Sequence, residues 1–486
     1  MASIVSSPSL LLALPDPCLL AVLQCLAADD QRSLFSTARS HSRLHQAAVV
    51  ALHSITAKLT QQQQMDGVLV YLGKHGQHVG SVDISRVGDG AIALRQLPPL
   101  LQLSSLHLSG LDVQLQPGNG SHGVLGLVAV AALKQLWLTS CELLDGEAQL
   151  AAALSQLPAG LQHLSITAPW VNNWSTKLPT GALQRLQQLT YLELAEVVLQ
   201  GPVQGQPVLQ PLQALTRLQD LRLCTDNSGI TASMLSGTHH LTRLWILGCL
   251  HQFPSLEPGA LAGKTQLQHL QLVYCTVSGG AAGAAQLLSH LKSLQQLRHL
   301  DLGYSKWEGS PPAAAFSALT ASSKLQHLDI RRCKLPAGLW QHVFPAGKQL
   351  PHLTSLDISR IAHADAGGTG IIPALEGSRL VSCCPSLESL NVVGLQVATD
   401  VLAAVQELRK LHTLHLAVDA TTAADRLHGV CQLTGLRDLG VVTPMNAPDE
   451  LLLQLTQFRQ LTSLTYNGAF WGDRDTMCLA AKVSCA

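Results

Sequence analysis

LQHLDIRRCKL, residues 325–335, is echoed by LQHLSITAPWV at 161–171 and by LQHLQLVYCTV at 267–277. The shared core is L-x-x-L-x-L, with another apolar residue tolerated for leucine. Its first position falls at Leu103, Leu133, Leu161, Leu189, Leu218, Leu241, Leu267, Leu297, Leu325, Leu353, Leu387, Leu411, Leu436 and Leu461. A weaker copy, VGSVDI, begins at Val79. These are fifteen units, spaced 23 to 34 residues apart. A period in this range is the mark of a repeat architecture.

The last three positions of the core alternate, so two leucines point one way and the residue between them the other. That describes a short strand with one buried face. The rest of each unit must bring the chain back one strand-spacing along. Alanine- and leucine-rich text such as DVLAAVQELRKL (400–411) and AAQLLSHLKSLQQL (284–297) suits a helical return. One unit cannot bury its leucines alone, but a stack can. The expected fold is an α/β solenoid with a parallel sheet on its concave face and helices outside.

This pattern resembles the leucine-rich-repeat family in its longer, helix-bearing form. The resemblance implies a horseshoe over residues 76–486 and says little about function. Eight residues past the first leucine, that family usually holds Asn or Cys; here the place is taken by Cys141, Cys249, Cys275 and Cys333. The resemblance implies inward cysteines that bond the next turn's backbone, as packing residues rather than ligands. Cys384-Pro385 and Ala398-Thr399-Asp400 resemble the cysteine-containing subfamily. Its members work mostly inside cells, so the resemblance implies a cytoplasmic or nuclear location.

Bulk composition narrows the function. The 486 residues carry 31 Lys and Arg against 31 Asp and Glu, and only 4% are aromatic. A neutral chain lacks the basic face that neutralises phosphates, so nucleic acid is not an expected partner. Mean hydropathy is +0.22. Its source is dispersed leucine and alanine, without the run of about 18 apolar residues that spans a membrane. Twelve cysteines are too few for a disulfide scaffold.

The N-terminal stretch LPDPCLLAVLQCLAADD, 14–30, is leucine-rich. No Lys or Arg precedes it, and Pro15, Asp16 and Pro17 break its apolar run, so it does not read as a secretory leader. Leu14-Pro15 suits a helix start. Leu19, Leu20, Leu23 and Leu26 follow at helical spacing. Over residues 14–50 this is similar to the F-box, although Pro17 and His41 depart from its pattern. The resemblance implies a small all-α segment whose Leu14, Pro15, Leu19, Leu20, Leu23 and Leu26 dock to a Skp-type adaptor. The repeats would then hold an unknown protein substrate for a cullin-RING ubiquitin ligase. The alternative is an interaction scaffold whose N-terminal helices only cap the solenoid. Residues 1–13 are expected to be a disordered leader, and 51–75 a helical connector.

A partner is expected on the strand face. The fifth position of the core gives Trp137, Trp245, Asp301, Asp329 and Asp357. The third gives His299 and His327, and just past the strands lie Tyr274, Tyr304, Arg331, Arg332 and Arg360. The three aspartates recur at 28-residue spacing. Neighbouring strands are ~4.8 Å apart, so the carboxylates repel and the chain gains nothing structural from the column. Two readings follow: solvated polar residues on an exposed sheet, or, with the histidines and arginines, a mixed-charge surface patch that receives a basic or polar segment of a partner. Replacing all three with serine should spare folding. An exposed tryptophan is often an interface anchor, which makes Trp137 and Trp245 a second candidate.

AHADAGGTG (362–370) and QPGNGSHG (116–123) read as flexible excursions. No motif of a phosphate loop, a serine hydrolase or a zinc protease is present. His41 and His45 have helical ligand spacing but no third ligand. No cofactor, metal or catalytic residue is expected.

Overall fold

A computed structural model of the chain describes residues 53–94, 97–113, 130–143, 154–167, 176–179, 183–195, 197–200, 210–225, 229–248, 253–336, 338–363, 377–394, 404–417, 430, 433–444, 460–469 and 481–483. The F-box-like segment 14–50, the leader, the 116–123 insert and most of 362–370 lie outside the described residues. Contacts group the chain into two compact units, Met1–Leu218 and Gln219–Ala486.

In the first unit, six described strands pair in parallel: Ser54–Leu59, Ser81–Arg86, Ser105–Ser109, Gln135–Thr139, His163–Thr167 and Tyr191–Ala195. Each L-x-x-L-x-L aligns with the next without slip, so that Leu106 faces Leu136 and Leu108 faces Leu138. These leucines are buried, while His107 and Trp137 between them are only half-buried. Full burial of one leucine contributes roughly 1.5–3 kcal/mol, and a one-residue slip would turn each to water.

The second unit holds ten such parallel strands among its described residues, from Asp220–Thr225 to Ser463–Ala469. A further strand, Ala481–Val483, pairs antiparallel with Ser463–Ala469. Both units are stacks of leucine-rich-repeat turns.

One expectation needs correction. The sheet does not begin at residue 76 after a helical connector. Ser54–Leu59 is already a strand, and Ile55 and Ala57 stand opposite Val82 and Ile84. The pattern Leu52-x-x-Ile55-x-Ala57 is one more copy of the core, disguised by the small alanine. A helix does follow, Gln62–His75, with Met65 and Leu72 buried and a capping box between Gln61 and Gln64. It passes at Gly76 into a 3-10 turn, Gly76–His78, and a Cβ at Gly76 would run into the Leu100 side chain.

The described returns differ in how helical they are. Gly280–Ser293 is a full helix with Leu287, Leu288 and Leu291 buried. By contrast, Ala313–Thr320 is a 3-10 turn, and Ala232–Leu235 and Trp340–Val343 span four residues each. Pro312 precedes the 3-10 turn and Thr320 ends it, its hydroxyl donating to the carbonyl of Val343 at 2.7 Å.

The described cysteines pack inward as expected, but they bond the preceding turn. The thiol of Cys141 donates to the Leu108 carbonyl at 3.3 Å, that of Cys275 to Ile246 at 3.6 Å, and that of Cys333 to Leu302 at 3.1 Å. Ser305 does the same to Leu272 with its hydroxyl. Burial pushes the Cys141 thiol up to about 11, and raises Cys275 and Cys333 further. Thiols held protonated in this way are poor nucleophiles.

Candidate functional site

In the second unit, strand register places the third-position residues Arg243, His269, His299 and His327 side by side, and the fifth-position residues Trp245, Gln271, Asp301, Asp329 and Asp357 beside them. The two files differ in physical state.

The histidines form a stack. The rings of His269 and His299 lie 5.9 Å apart, and those of His299 and His327 lie 4.2 Å apart and 4° from parallel. The Gln271 amide is 2.9 Å from His299 Nε2. Burial, then the neighbouring His327 and His269, push His299 down to about 4. Burial also lowers His269 and His327. The stack is therefore uncharged at neutral pH.

The aspartates are not surface carboxylates. Asp301 is 7% exposed and Asp329 4%. Each folds back on its own chain. The Gly303 N–H donates to Asp301 Oδ1 at 2.8 Å, the Arg331 N–H to Asp329 Oδ1 at 2.9 Å, and the Ser359 N–H to Asp357 Oδ1 at 2.9 Å. Asn391 repeats the motif with the Val393 N–H at 3.2 Å. These are Asx turns. They coincide with strand length. Four of the five repeats with Asp or Asn at the fifth position have strands of three residues, at His299–Asp301, His327–Asp329, Ser355–Asp357 and Ser389–Asn391. Where the fifth position is His415, the strand Thr413–Ala417 runs five.

Two expectations thus fail: Asp301 and Asp329 are buried rather than open to water, and the column has a structural role as the acceptor of each turn. Burial favours the protonated form of these carboxyls. Burial, followed by the charge of Asp301, pushes Asp329 up to about 7, outweighing its bond from the Arg331 N–H. Burial raises Asp301 as well. Arg331 Nε lies 3.4 Å from Asp329 Oδ2, which assigns Arg331 to the column.

Arg332, Arg360 and Tyr304 stand apart from it. They occupy the turn past the strand, where Tyr274, Tyr304, Arg332 and Arg360 all have φ between 52° and 62°. The Tyr274 and Tyr304 rings are 4.3 Å apart, and the Arg332 guanidinium lies 5.0 Å from the Tyr304 ring.

Trp245 is not an open anchor. The Arg222 guanidinium lies over its ring at 4.1 Å. Asp220, 8% exposed, holds Arg222 at 3.3 Å and Arg243 at 3.6 Å. Sequence reading missed this group, although Asp220 and Arg222 are the third and fifth residues of one core. Trp137 belongs to the first unit. It meets His107 edge-on at 6.2 Å and tilts towards His163 at 6.3 Å. With Ser81, Val82, Asp83, Ser105 and His107 it lines a shallow depression of about 250 Å³. There Asp83 sits 3.2 Å from His107 Nδ1. Asp83 is also a fifth-position aspartate, but its carboxylate has a cross-strand partner, and its strand Ser81–Arg86 runs six residues.

Leu14, Pro15, Leu19, Leu20, Leu23 and Leu26 lie outside the described residues. Among the described residues, no helix is long and apolar enough to cross a membrane.

No family model matches the sequence, and no curated protein matches it. Among solved structures, the chain is similar to an internalin (inlF) from Listeria monocytogenes. That match has 18% identity over 73% of this chain and 85% of the internalin, with a TM-score of 0.47. It is also similar to the plant peptide hormone receptor RGFR1 in complex with RGF2, at 15% identity over 86% of this chain and 78% of the receptor, with a TM-score of 0.38. The repeat architecture of this chain rests on the register of its own strands.

Proposed function

We propose that this chain is a protein-binding repeat module that does no chemistry of its own, and that its N-terminal segment delivers the bound protein to a Skp-type adaptor. The observation that supports a binding role is the file of half-buried, uncharged or mutually paired side chains at Trp245, His269, Gln271, His299 and His327. They cover a sheet whose core is already complete on its other face. Neutral imidazoles and amides present hydrogen-bonding groups with little desolvation cost, which suits the centre of a protein interface.

The adaptor role is supported by the sequence alone: the order of a leucine-spaced, F-box-like segment before a repeat array. It is tested by pull-down of a purified Skp-type adaptor with the full chain and with a Leu20→Asp, Leu23→Asp variant. Binding by the parent and not by the variant is the expected result. An adaptor that ignores both chains would leave an interaction scaffold with no ubiquitin role, its N-terminal helices serving as a cap.

A further inference from the structure

We propose that Tyr274, Tyr304, Arg332 and Arg360 form a docking ridge for a short acidic, extended segment of a protein partner. The four lie seven residues past the first leucine of four successive repeats, those of Leu267, Leu297, Leu325 and Leu353. Each is in the left-handed region, with φ of 57°, 62°, 55° and 52°. A side chain there costs about 1 kcal/mol or more. Glycine removes that cost, and the same turn is made by Gly110 at φ 67° and Gly394 at φ 79°. Four consecutive repeats nevertheless carry large side chains at this place. Folding does not call for them, so their use is at the surface.

Their chemistry is consistent along the row. The two tyrosine rings lie 4.3 Å apart, tilted by 31°, and Arg332 caps Tyr304 at 5.0 Å. Arg332 and Arg360 are exposed, as are Lys306 and Lys334 two residues beyond the ridge position. The nearby carboxylates do not neutralise these cations. Asp301 and Asp329 are buried against their own backbone, and Asp329 is matched by Arg331. Glu308, also exposed, accepts from the Gly279 N–H at 3.1 Å. The ridge therefore shows cations and aromatic faces, which complement carboxylates carried on a polypeptide.

Length fixes the ligand further. Four repeats at ~4.8 Å span about 14 Å, or four to five residues of extended chain at ~3.3 Å each. A nucleic acid fits less well, because rings 4.3 Å apart leave no slot between them for a base. The ridge is a different surface from the histidine file, so this inference stands or falls apart from the proposed function.

The test is fluorescence anisotropy with the full chain and three labelled probes: hexaglutamate, hexalysine and a 12-residue oligothymidylate. Hexaglutamate should bind at least tenfold tighter than either of the others. Arg332→Gly with Arg360→Gly should weaken it at least tenfold and leave the thermal midpoint unchanged or higher. Arg332→Gln with Arg360→Gln should weaken it similarly. Hexaglutamate binding no tighter than hexalysine would overturn the proposal. So would tighter binding of the oligonucleotide, affinity that survives the glutamine pair, or a lower thermal midpoint in the glycine pair.

Discussion

The imidazole of His299 lies face to face with that of His327, 4.2 Å away and 4° from parallel. Two such rings cannot both carry a proton without strong repulsion. The Gln271 amide at 2.9 Å also needs a bare Nε2 on His299 as acceptor. His299 is held at about 4, below the ~6.5 of a free histidine. A depressed histidine contributes stability that is complete above ~6.5 and is lost as pH falls through about 4. His299→Gln should therefore gain on the parent by on the order of 1–2 kcal/mol at pH 5 relative to pH 7.5. Urea midpoints at the two pH values measure this, and an equal offset at both would sink it.

Asp329 runs the other way. A raised carboxyl contributes stability that is complete below ~3.9 and is lost as pH rises through about 7. Asp329→Asn keeps an acceptor for the Arg331 N–H and removes the titration. It should match the parent at pH 4 and exceed it at pH 8 by on the order of a few kcal/mol. Asp329→Ala should fall about 1–3 kcal/mol below Asp329→Asn at both, because the Arg331 N–H loses its partner. Thermal melts of the three chains decide.

Cys333 donates to the Leu302 carbonyl of the preceding repeat at 3.1 Å, from a site 1% exposed. Cys333→Ala should cost about 1–2 kcal/mol, a small cavity plus an unmet carbonyl. Cys333→Ser should recover most of it, since Ser305 already fills the equivalent place in the repeat before. If serine proves worse than alanine, the thiol acts by volume alone.

The periodic leucines made the fold legible because register and burial follow directly from them. The first strand escaped because Ala57 fills a place elsewhere held by a larger side chain, most often leucine or isoleucine. The aspartate column was visible but misjudged. Spacing shows that three carboxylates share a file, yet it does not show that each can reach the N–H two residues on. Asp83, at the same place in its repeat, spends its carboxylate on His107 instead. That choice depends on a neighbouring strand, which one repeat read alone does not contain. Positive φ at Tyr304 and Arg332 was likewise hidden, since those residue types ordinarily avoid it.

The reversed strand Ala481–Val483 sets a limit on growth. Every earlier junction described in the second unit joins strands running the same way, so each repeat is a template for one more of its kind. The antiparallel strand meets Ser463–Ala469 at Leu464, Thr465 and Tyr466 and presents the wrong polarity to any further repeat. It acts as a terminator. Without it, the open edge of one molecule would offer a parallel seat to a strand from another, and head-to-tail polymers would become a hazard at high concentration.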